Sequence, residues 1–397
     1  MSDHNSRLIG LDFLRFAATS IVIVSHAHIV HGFDAVVSGV AGLSGLLLQF
    51  FTCGAVGVNI FFVLSGFLVS GLLFSETRRT GTVFLSRFLI RRGFKIYPAF
   101  WVMLAVTVGW MLYVGKPVFA GALSAELLYV QNYNHFICFH TWTLALEEHF
   151  YFLLAAIFYF LVRRVSPGTP LNFKTLPGIC VGVALFCLFF RIFMSLAYSY
   201  HPGSAQWLFH SDFCVIDALF AGLLLSYFWH VRWDAAMKNL IISFRWPLLF
   251  LGSLVLIGGS VCYQYQNWSQ IYGSLILFFG SAFLLLSSLS WEHHNSPRIV
   301  RGLAWLGKHS YSVYLWHIFV GTVVYPLIEP KLPAGWTWVN LLVYFSFCWL
   351  AGILLAYAVE VPVLMIRDRW FPTRSMGRIV PASASSLLAD PLSAKTI

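Results

Sequence analysis

The chain has 397 residues, of which 59% are hydrophobic and only 10% charged, with a net charge of +10 and a mean hydropathy of +0.78. That balance excludes an ordinary soluble domain and marks an integral membrane protein. The positive charge is read as topological and lipid-facing rather than as a nucleic-acid footprint, and the seven scattered cysteines, without a CxxC pair, give no sign of a disulfide framework.

Apolar runs long enough to cross roughly 30 Å of hydrocarbon as helices fall at 9–31, 54–75, 97–115, 142–163, 177–196, 212–230, 246–264, 270–290, 309–328 and 338–365. The expected fold is all-α, with these ten transmembrane helices in one domain over residues 1–371 and a disordered cytoplasmic tail, rich in Ser, Ala and Pro, over 372–397. Lysine and arginine gather in alternate loops: Arg78, Arg79, Arg87, Arg91, Arg92 and Lys95, then Arg163, Arg164 and Lys174, then Arg232, Lys238 and Arg245, then Arg298, Arg301 and Lys308. The opposite loops hold only Lys116 and Lys331, so the positive-inside rule puts both termini in the cytoplasm. No small-residue cleavage site follows the first apolar run, which is expected to be retained.

The first of these helices reads LDFLRFAATSIVIVSHAHIV and carries Asp12, Arg15, His26 and His28. Ionisable residues inside a membrane helix are kept mainly where they face a bundle interior or a wet cavity. Arg15 and His26 are eleven residues apart, close to three whole turns, so they share a face about 16 Å apart along the axis. Arg15 then sits in the inner half and His26 near the outer end; His28 points about 200° around the helix from His26 and is assigned to the interface. The plainer reading of Arg15 is an ion pair with Asp12, three residues before it. The second helix, GVNIFFVLSGFLVSG, places Asn59 and Ser65 in the membrane, where small residues usually signal close packing.

Between the second and third helices, TVFLSRFLIRRGFKIYP spaces Arg87, Arg91 and Lys95 four apart and is expected to lie along the inner interface. With Arg92 and Arg15 it forms a cationic pole that suits the phosphates of a nucleotide-like donor, although topology and anionic lipid account for the same charges. The fourth helix begins WTLALEEHFYFLL, after an outer connection at roughly 116–141, and places Glu147 and Glu148 near the depth expected for His26. A carboxylate beside a histidine suits general base work, and Glu147 is assigned to orient His26, leaving Glu148 to pair with His149 or water. Asp217 and Glu360 are carboxylates without a nameable partner, and LGKHSYSVYLWH carries Ser310, Tyr311 and His317 as cavity candidates. No HExxH, Cys/His ligand set, GxSxG or Walker loop is present, so no metal is expected.

Together these segments resemble the acyltransferase-3 family of membrane O-acyltransferases. The likeness runs from GLDFLRFAATSIVIVSH through GVNIFFVLSGFL, RRGFKIYPAFW and WTLALEEHFYF to LGKHSYSVYLWH and VEVP at 359–362. It maps the family's arginine and histidine onto Arg15 and His26, its paired basic motif onto Arg92 and Lys95, and its tryptophan-led motif onto Trp142 and Glu147. The resemblance implies transfer of an acyl group, commonly acetyl from acetyl-CoA, to a hydroxyl of a carbohydrate or glycan-like acceptor across a bacterial inner membrane, with the histidine catalytic and the arginines serving the donor. Two residues depart from the family pattern. Lys95 stands where arginine is usual, keeping charge but losing the bidentate fork, and Asn59 stands where aspartate is usual, keeping only hydrogen bonding. The rival reading is a secondary transporter or flippase using intramembrane Arg, His and Glu; the inverted repeats that would favour it are not visible. Membrane lipids are the expected surroundings, and the sequence leaves acceptor identity and oligomeric state open.

Overall fold

The computed structural model describes residues 9–40, 42–133, 136–163, 173–200, 212–264, 268–291, 296–333 and 335–371. Among these residues the chain is helical and contains no strand. The tail expected to be disordered lies outside the described residues. Among the described residues, eight helices are long and apolar enough to cross a membrane. Backbone groups in hydrocarbon must be satisfied within the segment, which is why continuous apolarity here yields helices.

The elements that build the interior are α1 (Ile9–Ser25), α2 (Gly54–Thr80), α3 (Leu85–Tyr113), α4 (Trp142–Arg163), α5 (Leu176–Tyr200), α6 (Asp217–Tyr227), α7 (Arg245–Gln264), α8 (Trp268–Ser288), α9 (Arg298–Gly307), α10 (Ser310–Phe319), α11 (Thr337–Leu355) and α12 (Val361–Trp370). Two of the ten expected crossings are broken elements. The helix α6 passes into a π-helical turn over Phe228–Arg232, and α10 into another over Val320–Val324. A third π-helical turn, Ala356–Glu360, joins α11 to α12 and delivers Glu360 to the interior. Such turns insert one extra residue per turn and shift the face that follows.

The basic segment expected along the inner interface is instead the opening of α3, continuous with the membrane helix through Pro98. Proline lacks an N–H, so it removes one backbone bond without ending the helix. Arg91 bonds Asp368 and the Phe371 carbonyl, and Lys95 bonds Glu360, which ties this opening to α11 and α12.

Close crossings set the interior. Gly66 of α2 meets the backbone of Leu219 and Gly222 in α6, while Gly222 meets Val63 and Phe67; a Cβ at either position would overlap backbone. Small residues at such crossings let helices approach without side chains between them. The helices α1, α2, α4 and α10 surround the space described next, and a buried pair, Arg191 Nη2 to Asp217 Oδ2 at 2.7 Å, locks α5 to α6 beside it. All seven cysteines are free.

Candidate active site

The α-helical part of α1 stops at Ser25, and His26 opens a short 3₁₀ turn over Ala27–Ile29. His26 Nδ1 lies 2.8 Å from the Val22 carbonyl oxygen. A carbonyl only accepts, so Nδ1 carries the hydrogen and Nε2 keeps its lone pair. His26 lines a cavity of about 290 Å³ with Ser25, Asn59, Phe139, His140, Trp142 and Tyr263 among its walls. Asn59 Nδ2 donates to the Ala55 carbonyl at 2.9 Å, holding the amide back along its own helix. His317 of α10 approaches from the side, its Nε2 3.3 Å from His26 Nδ1.

The segment that leads into α4 walls this cavity. It presents Phe139, whose ring centroid is 5.4 Å from that of His26, and His140, whose Nε2 donates to the Leu315 carbonyl at 3.0 Å. The segment is organised by Glu126, fully buried in the short helix Ala120–Leu127. Glu126 Oε1 accepts from the Ile137 and Cys138 N–H groups at 3.1 and 3.0 Å. Burial raises the Glu126 carboxyl above the ordinary carboxylate range. Thr141 Oγ1 lies 2.8 Å from Glu126 Oε2 and 2.6 Å from the Cys138 carbonyl. A hydroxyl has one hydrogen, so Thr141 shares it between the Glu126 carboxyl oxygen and the Cys138 carbonyl.

A second cavity, about 230 Å³, lies on the other side of Phe62 and is lined by Arg15, Arg92, Lys95 and Lys308, with Glu147 as its carboxylate. Arg15 pairs with Asp12 at 2.7 Å, so the plainer reading of that residue holds, and it faces the cavity as well. Lys95 pairs with Glu360, whose second oxygen accepts from Ser312 Oγ at 2.6 Å. Arg92 stands over the Tyr151 ring at 5.5 Å, and Tyr151 OH donates to Glu147 Oε2 at 3.0 Å while lying 2.9 Å from Ser65 Oγ. Tyr311 OH donates to the Ile96 carbonyl at 2.7 Å, its ring beneath the Lys95 ammonium, and Ser310 completes the wall.

The residues singled out by sequence thus fall into two groups: His26, Asn59 and Trp142 around the first cavity, and Arg15, Arg92, Lys95, Glu147, Ser65, Ser310 and Tyr311 around the cationic one. Glu147 is therefore not beside His26. It lies five residues beyond Trp142 along α4, a rise of about 7.5 Å, and lines the cationic cavity instead. Glu148 points elsewhere, accepting from Tyr97 OH at 2.8 Å. Sequence reasoning missed His140, Tyr314 and Lys308 and left His317 without a partner; LGKHSYSVYLWH flagged the helix but not what it faces. Val58, Phe62 and Tyr314 belong to both cavities and form the partition between them. Among the described residues no group of three His, Cys, Asp or Glu side chains is arranged to hold a metal ion.

A family model described as an acyltransferase domain matches residues 8–361. The chain is 26% identical over 313 residues to the peptidoglycan O-acetyltransferase OatA of Listeria monocytogenes, covering 71% of this chain and 47% of that protein. It is 26% identical over 350 residues to the O-acetyltransferase OatA of Staphylococcus aureus, covering 81% of this chain and 50% of that protein. The chain spans about half the length of the curated relatives it matches. No solved structure matches it.

Proposed function

The chain belongs to the acyltransferase-3 family, and on that premise we propose that it is a membrane O-acetyltransferase that moves an acetyl group from cytoplasmic acetyl-CoA to a hydroxyl of a glycan-like acceptor at the outer side of a bacterial inner membrane. The observation that carries this reading is the pair of cavities sharing Val58, Phe62 and Tyr314, one walled by cations and the other holding His26. Ten crossings with both termini inside, as the loop charges favour, orient the cationic cavity toward the donor. The phosphates of the donor meet Arg92, Lys95, Lys308 and Arg15, and its flexible arm passes the partition to bring the thioester to His26.

His26 Nε2 takes the proton from the acceptor hydroxyl as its oxygen bonds to the thioester carbonyl carbon. The carbon–sulfur bond then breaks, and the same Nε2 returns the proton to the leaving thiolate, so atoms and charge balance. Asn59 and Trp142 offer hydrogen bonding and an aromatic face to the acceptor. Incubating membranes with radiolabelled acetyl-CoA tests the reading: label moves onto glycan with wild-type protein and stops with His26→Ala. Uptake of an unmodified solute without label transfer would establish a transporter instead.

A further inference from the structure

General base work at His26 creates an imidazolium, and the carboxylate expected to steady it lies in the other cavity. We infer that His317 is a positioning residue that, beside the Val22 carbonyl that sets the tautomer of His26, accepts from its Nδ1–H and steadies the ring as it becomes cationic, an inference that rests on the acyl-transfer reading above. His317 is completely buried. Its Nδ1 lies 2.5 Å from the Tyr314 carbonyl oxygen. That carbonyl can only accept, so Nδ1 of His317 carries the hydrogen and its Nε2 presents a lone pair. This lone pair is 3.3 Å from His26 Nδ1, which also bonds the Val22 carbonyl at 2.8 Å. The Nδ1–H of His26 faces the Val22 carbonyl and the His317 lone pair, with Ser25 Oγ at 3.5 Å beside them, and its Nε2 is left free for the substrate.

The neighbouring ring follows the same rule. His140 gives its Nε2–H to the Leu315 carbonyl at 3.0 Å, and its ring stands edge-on to His317 with centroids 5.1 Å apart. Tyr314, whose carbonyl fixes His317, is next to Leu315, whose carbonyl fixes His140, so one stretch of α10 sets both tautomers. A neutral imidazole is a weaker acceptor than a carboxylate, but it brings no second charge into a buried site, where an unmatched ion is costly. Through the reaction the Nδ1 proton stays on His26, and His317 takes none; only the Nε2 proton comes and goes.

The test uses the full chain in inside-out vesicles that carry the producing cell's own glycans, with radiolabelled acetyl-CoA as the probe. His317→Leu should lower kcat by about 10²-fold, the usual scale of a general base's contribution, with KM for acetyl-CoA unchanged. His317→Gln, whose amide oxygen accepts the Nδ1–H, should recover kcat to within roughly tenfold of wild type. Thermal unfolding in detergent checks that the proteins compared are folded, and His317→Met replaces the leucine variant should that one fail to fold. Wild-type kcat in the apolar variant, or a glutamine variant as slow as the apolar one, overturns the assignment of His317 alone. Wild-type vesicles that move no label, or His26→Ala vesicles that move it normally, overturn the acyl-transfer reading itself.

Discussion

Two of the four cations around the cationic cavity are neutralised in place, Arg15 by Asp12 and Lys95 by Glu360. Arg92 and Lys308 make no ion pair among the described residues, which leaves their charge for a ligand. Removing either should therefore act on donor binding: Arg92→Ala and Lys308→Ala are each expected to raise KM for acetyl-CoA about tenfold or more, the scale of one charge-assisted hydrogen bond, with a smaller change in kcat. Lys95→Ala should behave differently, because it strands Glu360, which is 6% exposed. The expected outcome is a loss of about 1–3 kcal/mol of stability, read as a lower unfolding midpoint, with Lys95→Arg retaining most of it. The sequence showed the charges but not this division. Arg91, Arg92 and Lys95 look equivalent in RRGFKIYP, yet rotation of about 100° per residue turns Arg91 to Asp368, Arg92 to Tyr151 and Lys95 to Glu360.

At the scale of elements, what hydropathy encodes was legible, and what depends on two segments meeting was not. The membrane helices follow from continuous apolar runs, and the departures are local: π-helical turns shorten α6 and α10, and α3 absorbs the basic segment. Partners were out of reach because no periodicity relates Asp217 to Arg191 or Glu360 to Lys95. The segment walling the His26 cavity was equally opaque, since nothing in the sequence relates Glu126 to its partners Ile137, Cys138 and Thr141. Those contacts make a prediction with a definite sign. The folded protein holds the Glu126 proton more tightly than the unfolded chain does, so stability is greatest below the ordinary carboxylate range and falls as pH rises toward the raised value. Glu126→Gln keeps the two accepted N–H bonds and can donate to Thr141, so it should retain activity and flatten that part of the pH–stability curve. Glu126→Leu leaves the buried Cys138 N–H and the half-buried Ile137 N–H unpaired and should cost about 1–3 kcal/mol for the buried one.

Across the whole molecule, the two cavities lie on either side of one aromatic partition, and the proposed reaction requires that they open to opposite sides of the membrane. The His26 cavity includes Thr52 and the cationic one Lys308, which is exposed. Single cysteines at these positions report on which side each cavity opens, because six of the seven native cysteines are buried and only Cys262 needs replacement by serine. A membrane-impermeant maleimide should label Lys308→Cys in inside-out vesicles and Thr52→Cys in right-side-out ones. Acetyl-CoA should slow labelling of Lys308→Cys, because the donor's phosphates occupy the cavity that residue lines. It should leave Thr52→Cys reactive, because Val58, Phe62 and Tyr314 separate that position from the cationic wall. Labelling of both positions from one side would place the two cavities on a single aqueous face and remove the transmembrane transfer step, even if His26 remained essential.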